Sequence, residues 1–192
     1  LITRTDALVV VDVQNDFMPG GSLAVPRANE VIEPLNRALA AFAALGAPIV
    51  ATRDWHPHDH CSFRAQGGTW PAHCVADTPG AAFDGALHLP RDTKIISKAT
   101  RPDADAYSGF DQTDLEAWLR KCGVQRVVVG GLATDYCVRR TVEDALAAGF
   151  DVVVLEDAIR AVNVQPDDGA AALEAMVAGG AKRGASTDLA SL

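Results

Sequence analysis

The chain has 192 residues, 48% hydrophobic and 22% charged, enough for one well-buried core and short for two, so a single domain over 1–192 is expected. A net charge of −8 with 17 scattered Lys and Arg argues against a nucleic-acid or anionic-membrane partner and favours a small solute. The apolar runs fall far short of the roughly 20 residues that span a bilayer. The N-terminus lacks signal-peptide order, so the expectation is a cytoplasmic protein whose four cysteines stay thiols.

In chain order, ALVVVD (Ala7 to Asp12) opens a series of short, β-branched, nearly continuous apolar runs. Runs of this kind read as strands buried on both faces. Asn29 to Leu45 follows as an Ala- and Leu-rich helix ending at Gly46, with Pro34 either opening or kinking it. APIVATRD (Ala47 to Asp54) is the second strand and TKIISK (Thr93 to Lys98) the third. Thr113 and Glu116 have the spacing of a capping box for a helix to Lys121, stopped by Gly123. QRVVVGG (Gln125 to Gly131) and DVVVLED (Asp151 to Asp157) complete the strands, with helices over Asp135 to Ala148 and Pro166 to Ala178. Strands alternating with helices predict an α/β fold with a doubly wound, mostly parallel sheet flanked by helices. The connections Trp55 to Asp92 and Ala99 to Gln112 are much longer than the usual four to six or so residues, which marks them as functional.

Three residues stand where such a sheet binds ligands. Asp12 and Lys98 each close an apolar strand, where a lone buried charge is costly and an opposite pair offsets that cost. Cys137 falls where a strand ends at a Gly pair and a helix begins near Asp135, so backbone N–H groups and the helix dipole would favour thiolate. With a lysine and a carboxylate beside it, it would be an activated nucleophile and the most acidic of the four thiols. Four of the five histidines lie between positions 56 and 73. Asp54, His56 and His60 are spaced Asp-x-His-x-x-x-His, and His73 could be a third imidazole. Carboxylate and imidazole ligands suit Zn, Fe or Mn.

The stretches VVDVQNDFMPGGSLAV, TRDWHPHDHCSF, WPAHC, SKATRPDADAYSGF, GLATDYCVRRTVEDA and VVVLEDAIRAV together resemble the nicotinamidase/pyrazinamidase branch of the isochorismatase-like cysteine hydrolases. The resemblance implies a catalytic triad of Asp12, Lys98 and Cys137, and one divalent metal ion held by Asp54, His56, His60 and His73. It implies nicotinamide as substrate with its ring nitrogen on that ion, and a ring pocket lined by Phe17, Trp70 and Tyr107. It also implies a cis peptide at Leu132–Ala133, with the N–H groups of Ala133 and Cys137 facing the oxyanion. The RGASTDL segment is less apolar than the last strand of the family, so that edge strand is in question; homo-oligomerisation is left open. Related hydrolases acting on N-carbamoyl amides or maleamate typically lack the Asp-x-His-x-x-x-His cluster. A metal-storage or redox-sensing protein has no need of a lysine closing a strand, and no GxGxxG supports a dinucleotide module.

Overall fold

The computed structural model describes residues 1–189. Six strands, β1 (Asp6–Val11), β2 (Ile49–Asp54), β3 (Lys94–Lys98), β4 (Arg126–Leu132), β5 (Asp151–Arg160) and β6 (Lys182–Gly184), form one sheet in the order β3-β2-β1-β4-β5-β6. Every neighbouring pair is parallel. The chain leaves β1 towards β2 on one side and later returns to β4 on the other. Their carboxyl ends therefore flank the switch point at which open α/β sheets bind ligands.

Alternation along the strands sorts the core into two layers. Leu8 and Val10 pack with Leu35, Leu39 and Phe42 of α1 (Ile32–Leu45) on one face. Ala7, Val9 and Val11 pack on the other face with Leu115 and Leu119 of α2 (Leu115–Lys121), Val142 and Ala145 of α3 (Arg139–Ala147) and Met176 of α4 (Asp168–Ala178). Each fully buried Leu or Phe contributes about 1.5–3 kcal/mol of transfer free energy. Because both faces are covered, β1 is buried at all six positions. Gly131 sits at φ +126°, and a Cβ there would lie 2.1 Å from the Val11 carbonyl, so glycine lets β4 approach the end of β1.

Several local expectations change. Pro34 falls in the first turn of α1, where its missing N–H costs nothing. The capping box at Thr113 and Glu116 does not form: Thr113 Oγ1 donates to the Gly109 carbonyl at 2.6 Å, and Glu116 pairs with Arg120 at 2.9 Å. The helix expected from Asp135 begins as a wide π turn over Thr134–Val138 and becomes regular only at Arg139. β5 continues to Arg160, beyond a register shift opposite Val129 and Gly131. The edge strand in question forms as β6, three residues paired to Val153, Val154 and Leu155. The long segment after β2 is ordered without regular strands by bridges such as His56 to Val75 and Phe63 to Trp70.

Candidate active site

Three parallel strands deliver three charges to one place. Asp12 follows β1 in a left-handed backbone conformation (φ 49°), Asp54 ends β2 and Lys98 ends β3, and all three are buried. Lys98 Nζ lies 2.9 Å from Asp12 Oδ2 and 2.5 Å from Asp54 Oδ1. It also lies 3.4 Å from Cys137 Sγ, which the π turn after β4 projects towards it. Burial opposes the lysine's charge, but the two carboxylates outweigh it and hold the ammonium's pKa well above the usual value.

The carboxylates divide their roles by environment. Burial and the neighbouring Asp54 push the Asp12 carboxyl up, with Lys98 opposing them. Burial would also raise Asp54, yet Lys98 and the imidazoles beside it bring it below the ordinary carboxylate range. Thr52 Oγ1 donates to Asp12 Oδ1 at 2.7 Å, and Oδ2 faces the Lys98 ammonium at 2.9 Å. Burial pushes the Cys137 thiol well up; Lys98 opposes it, and Asp12 and Asp54 add to the rise. The expectation of an unusually acidic Cys137 is thus reversed: the thiol rests neutral, with Asp12 within 4.8 Å to take its proton.

Beside this group, ligand atoms of Asp54, His56 and His73 lie within 4.8 Å of one another. His56 Nδ1 lies 2.9 Å from the His73 carbonyl and His73 Nδ1 lies 2.8 Å from the Pro71 carbonyl, which fixes both tautomers and leaves Nε2 for an ion. Burial holds His56 down to about 4, so it is neutral at physiological pH, the form that ligates. His60 departs from the expected four-residue set. It stacks near His56, ring centroids 4.3 Å apart, but Ser62 Oγ at 2.8 Å and the Ala104 carbonyl at 3.2 Å occupy its nitrogens. It groups with His56 and the exposed Asp105 instead of with Asp54 and His73.

A cavity opens above these residues. Asp54, His73, Ala133 and Cys137 line it, as do Phe17, Trp70 and Tyr107. Trp70 Nε1 donates to the Tyr107 hydroxyl at 3.1 Å, and Tyr136 stands against both rings at 5.4 and 5.8 Å. The Leu132–Ala133 peptide is cis.

Residues 6–187 match the Isochorismatase domain family. The chain belongs to the isochorismatase family. It is 44% identical to the nicotinamidase/pyrazinamidase of Mycobacterium tuberculosis over 88% of this chain and 93% of that one. It is 39% identical to the nicotinamidase of Escherichia coli, over 91% of this chain and 92% of that one. The crystal structure of Pyrococcus horikoshii pyrazinamidase in complex with zinc superposes with a TM-score of 0.91 at 52% identity, covering 94% of this chain and 99% of that one.

Three supports of this family member's site escaped the sequence reading. Thr52 passes for an ordinary β-branched strand residue. Gln14 is fully buried and clamps Asp54 from both sides, donating to its carbonyl at 2.8 Å and accepting its N–H at 2.8 Å. The only signal was an uncharged amide two residues beyond the buried Asp12. Tyr136 precedes the nucleophile and reads from sequence as one more helical residue.

Proposed function

We infer that this chain is a nicotinamidase: it hydrolyses nicotinamide and pyrazinamide to the carboxylic acid and ammonia through a thioester on Cys137. One observation carries the reading. A thiol, an ammonium and a carboxylate meet at the floor of an aromatic cavity whose wall presents Asp54 and His73. The activities named for the relatives above point the same way.

With the carboxamide carbon over Cys137, Asp12 Oδ2 takes the thiol proton as the sulfur attacks, so no resting thiolate is required. Lys98 stays charged throughout and offsets the negative charge that moves from carboxylate to sulfur to substrate. The N–H groups of Ala133 and Cys137 receive the oxyanion. As the C–N bond breaks, Asp12 returns its proton to the departing nitrogen and ammonia leaves. A water then attacks the thioester with Asp12 accepting its proton, and the carboxylic acid departs as the thiol re-forms. Phe17, Trp70, Tyr107 and Tyr136 enclose the ring and exclude water from the first step.

Asp54, His56 and His73 would hold one divalent zinc, iron or manganese ion, and their tautomers and charge fit it. When bound, the ion supplies a Lewis-acidic contact for a heteroaromatic ring nitrogen and so orients the amide. The whole chain would act as one cytoplasmic domain in NAD salvage. The test is ammonia release from nicotinamide, pyrazinamide and benzamide by purified protein. The two azines should turn over and benzamide, which lacks the ring nitrogen, should be poor. Equal rates for benzamide would remove the ring-nitrogen contact from the account.

A further inference from the structure

His56 belongs to two groups of potential ligand atoms. One joins it to Asp54 and His73 and the other to His60 and Asp105, and in each the atoms lie within 4.8 Å of one another. Asp54 and His73 line the substrate cavity, whereas His56, His60 and Asp105 do not. Asp105 is exposed on the segment after β3, and both imidazoles are buried behind it. Because His56 commits Nδ1 to the His73 carbonyl, only its Nε2 remains for a cation in either group. A single nitrogen lone pair serves one ion at a time, so the two groups are alternative positions for one ion.

The chemistry of the outer group suits that role. The Ser62 N–H donates to His60 Nδ1 at 3.3 Å, which leaves the ring proton on Nε2 facing the Ala104 carbonyl at 3.2 Å. A divalent cation at Nε2 requires that ring proton to move to Nδ1, where Ser62 Oγ at 2.8 Å accepts it, and the Ala104 oxygen is then a further donor at the same spot. Asp105 Oδ1 accepts the Ala106 N–H at 2.9 Å, leaving Oδ2 and its charge for an arriving ion. A hydrated ion loses its waters at a cost, and an exposed carboxylate followed by two imidazoles replaces them in steps.

We propose that His60 and Asp105 form an outer station for a divalent transition-metal ion, which enters and leaves the inner set over His56 without passing through the substrate cavity. The proposal rests on the metal reading given under Proposed function. Zinc transfer tests it: zinc-loaded protein is mixed with excess chromogenic chelator, and the chelator-stripped protein is remixed with zinc. Asp105→Asn, which keeps the bond to Ala106, should slow transfer in both directions by about tenfold, the scale of losing an outer partner of a metal site. Zinc content at saturation and kcat of the loaded enzyme should be unchanged. Asp103→Asn, an exposed acid on the same segment paired with Arg101, should leave the rates alone. Asp105→Asn rates within about twofold of wild type, or equal slowing by Asp103→Asn, would overturn the outer station. Wild-type protein that takes up no zinc at all would overturn the metal reading itself, and the station with it.

Discussion

Replacing Lys98 by methionine keeps the length of the side chain and removes the one ammonium that separates Asp12 from Asp54. Both carboxylates are at most 5% exposed, and in the folded protein they lie within 4.8 Å of each other. Breaking a buried ion pair by deleting one partner costs about 3–5 kcal/mol. For a chain of this size each kcal/mol lowers the melting temperature by roughly 2–4 °C, so the loss should be about 6–20 °C at neutral pH. The sign of the pH dependence follows from linkage. Without Lys98, the Asp12 carboxyl, already raised by burial and Asp54, rises further, and Asp54 loses the strongest influence holding it down, with the imidazoles of His56 and His73 left to oppose burial and repulsion. The mutant's folded state therefore holds protons more tightly than its unfolded state, and the stability so gained is lost as pH rises through the raised pKa values. Thermal melts of chelator-treated wild type and Lys98→Met should differ less near about pH 5 than near about pH 8. A deficit that is constant across that range, or absent, would refute the claim that the lysine neutralises two buried carboxylates.

Limiting iodoacetamide near neutral pH should label the exposed Cys122 before Cys137, and Cys137 labelling should keep rising into the alkaline range, because burial and the carboxylates hold that thiol well above its usual pKa. Peptide mass spectrometry reads the order; Cys137 modified first at neutral pH would mean a resting thiolate. Gly131→Ala should destabilise the fold by on the order of 3 kcal/mol and lower activity, since the added Cβ meets the Val11 carbonyl beside Asp12. Urea denaturation checks it, and a wild-type midpoint would show that β4 can move away at little cost.

The charged residues were legible because they interrupt apolar strands. An Asp or Lys closing a β-branched run has few explanations, and Asp12, Asp54 and Lys98 do meet at one end of the sheet. Register made this possible, since Asp54 pairs directly with Lys98 across β2 and β3. What spacing could not resolve was tertiary competition for the same atoms. His60 has the right separation from His56, but Ser62 and Ala104 engage its nitrogens first. Thr113 and Glu116 likewise have capping-box spacing and choose Gly109 and Arg120 instead. The acidity of Cys137 was misread because the sequence shows the lysine, Asp12 and the helix start, while the depth of burial and the approach of Asp54 appear only in three dimensions. The π turn at Thr134–Val138 is hidden for a similar reason: its residues carry the same helical pattern as α3.

The central claim is that Cys137, assisted by Asp12, performs the chemistry. The most direct measurement is ammonia release from nicotinamide by wild type and Cys137→Ala, both metal-loaded and both shown folded by their melting curves. Trading a small buried thiol for a methyl leaves no polar group newly unpaired, so the variant should melt within a few degrees of wild type, roughly 1 kcal/mol of change. Wild type should release ammonia, and the folded variant should release none above the uncatalysed background. A folded Cys137→Ala protein that turns nicotinamide over near the wild-type rate would contradict the account.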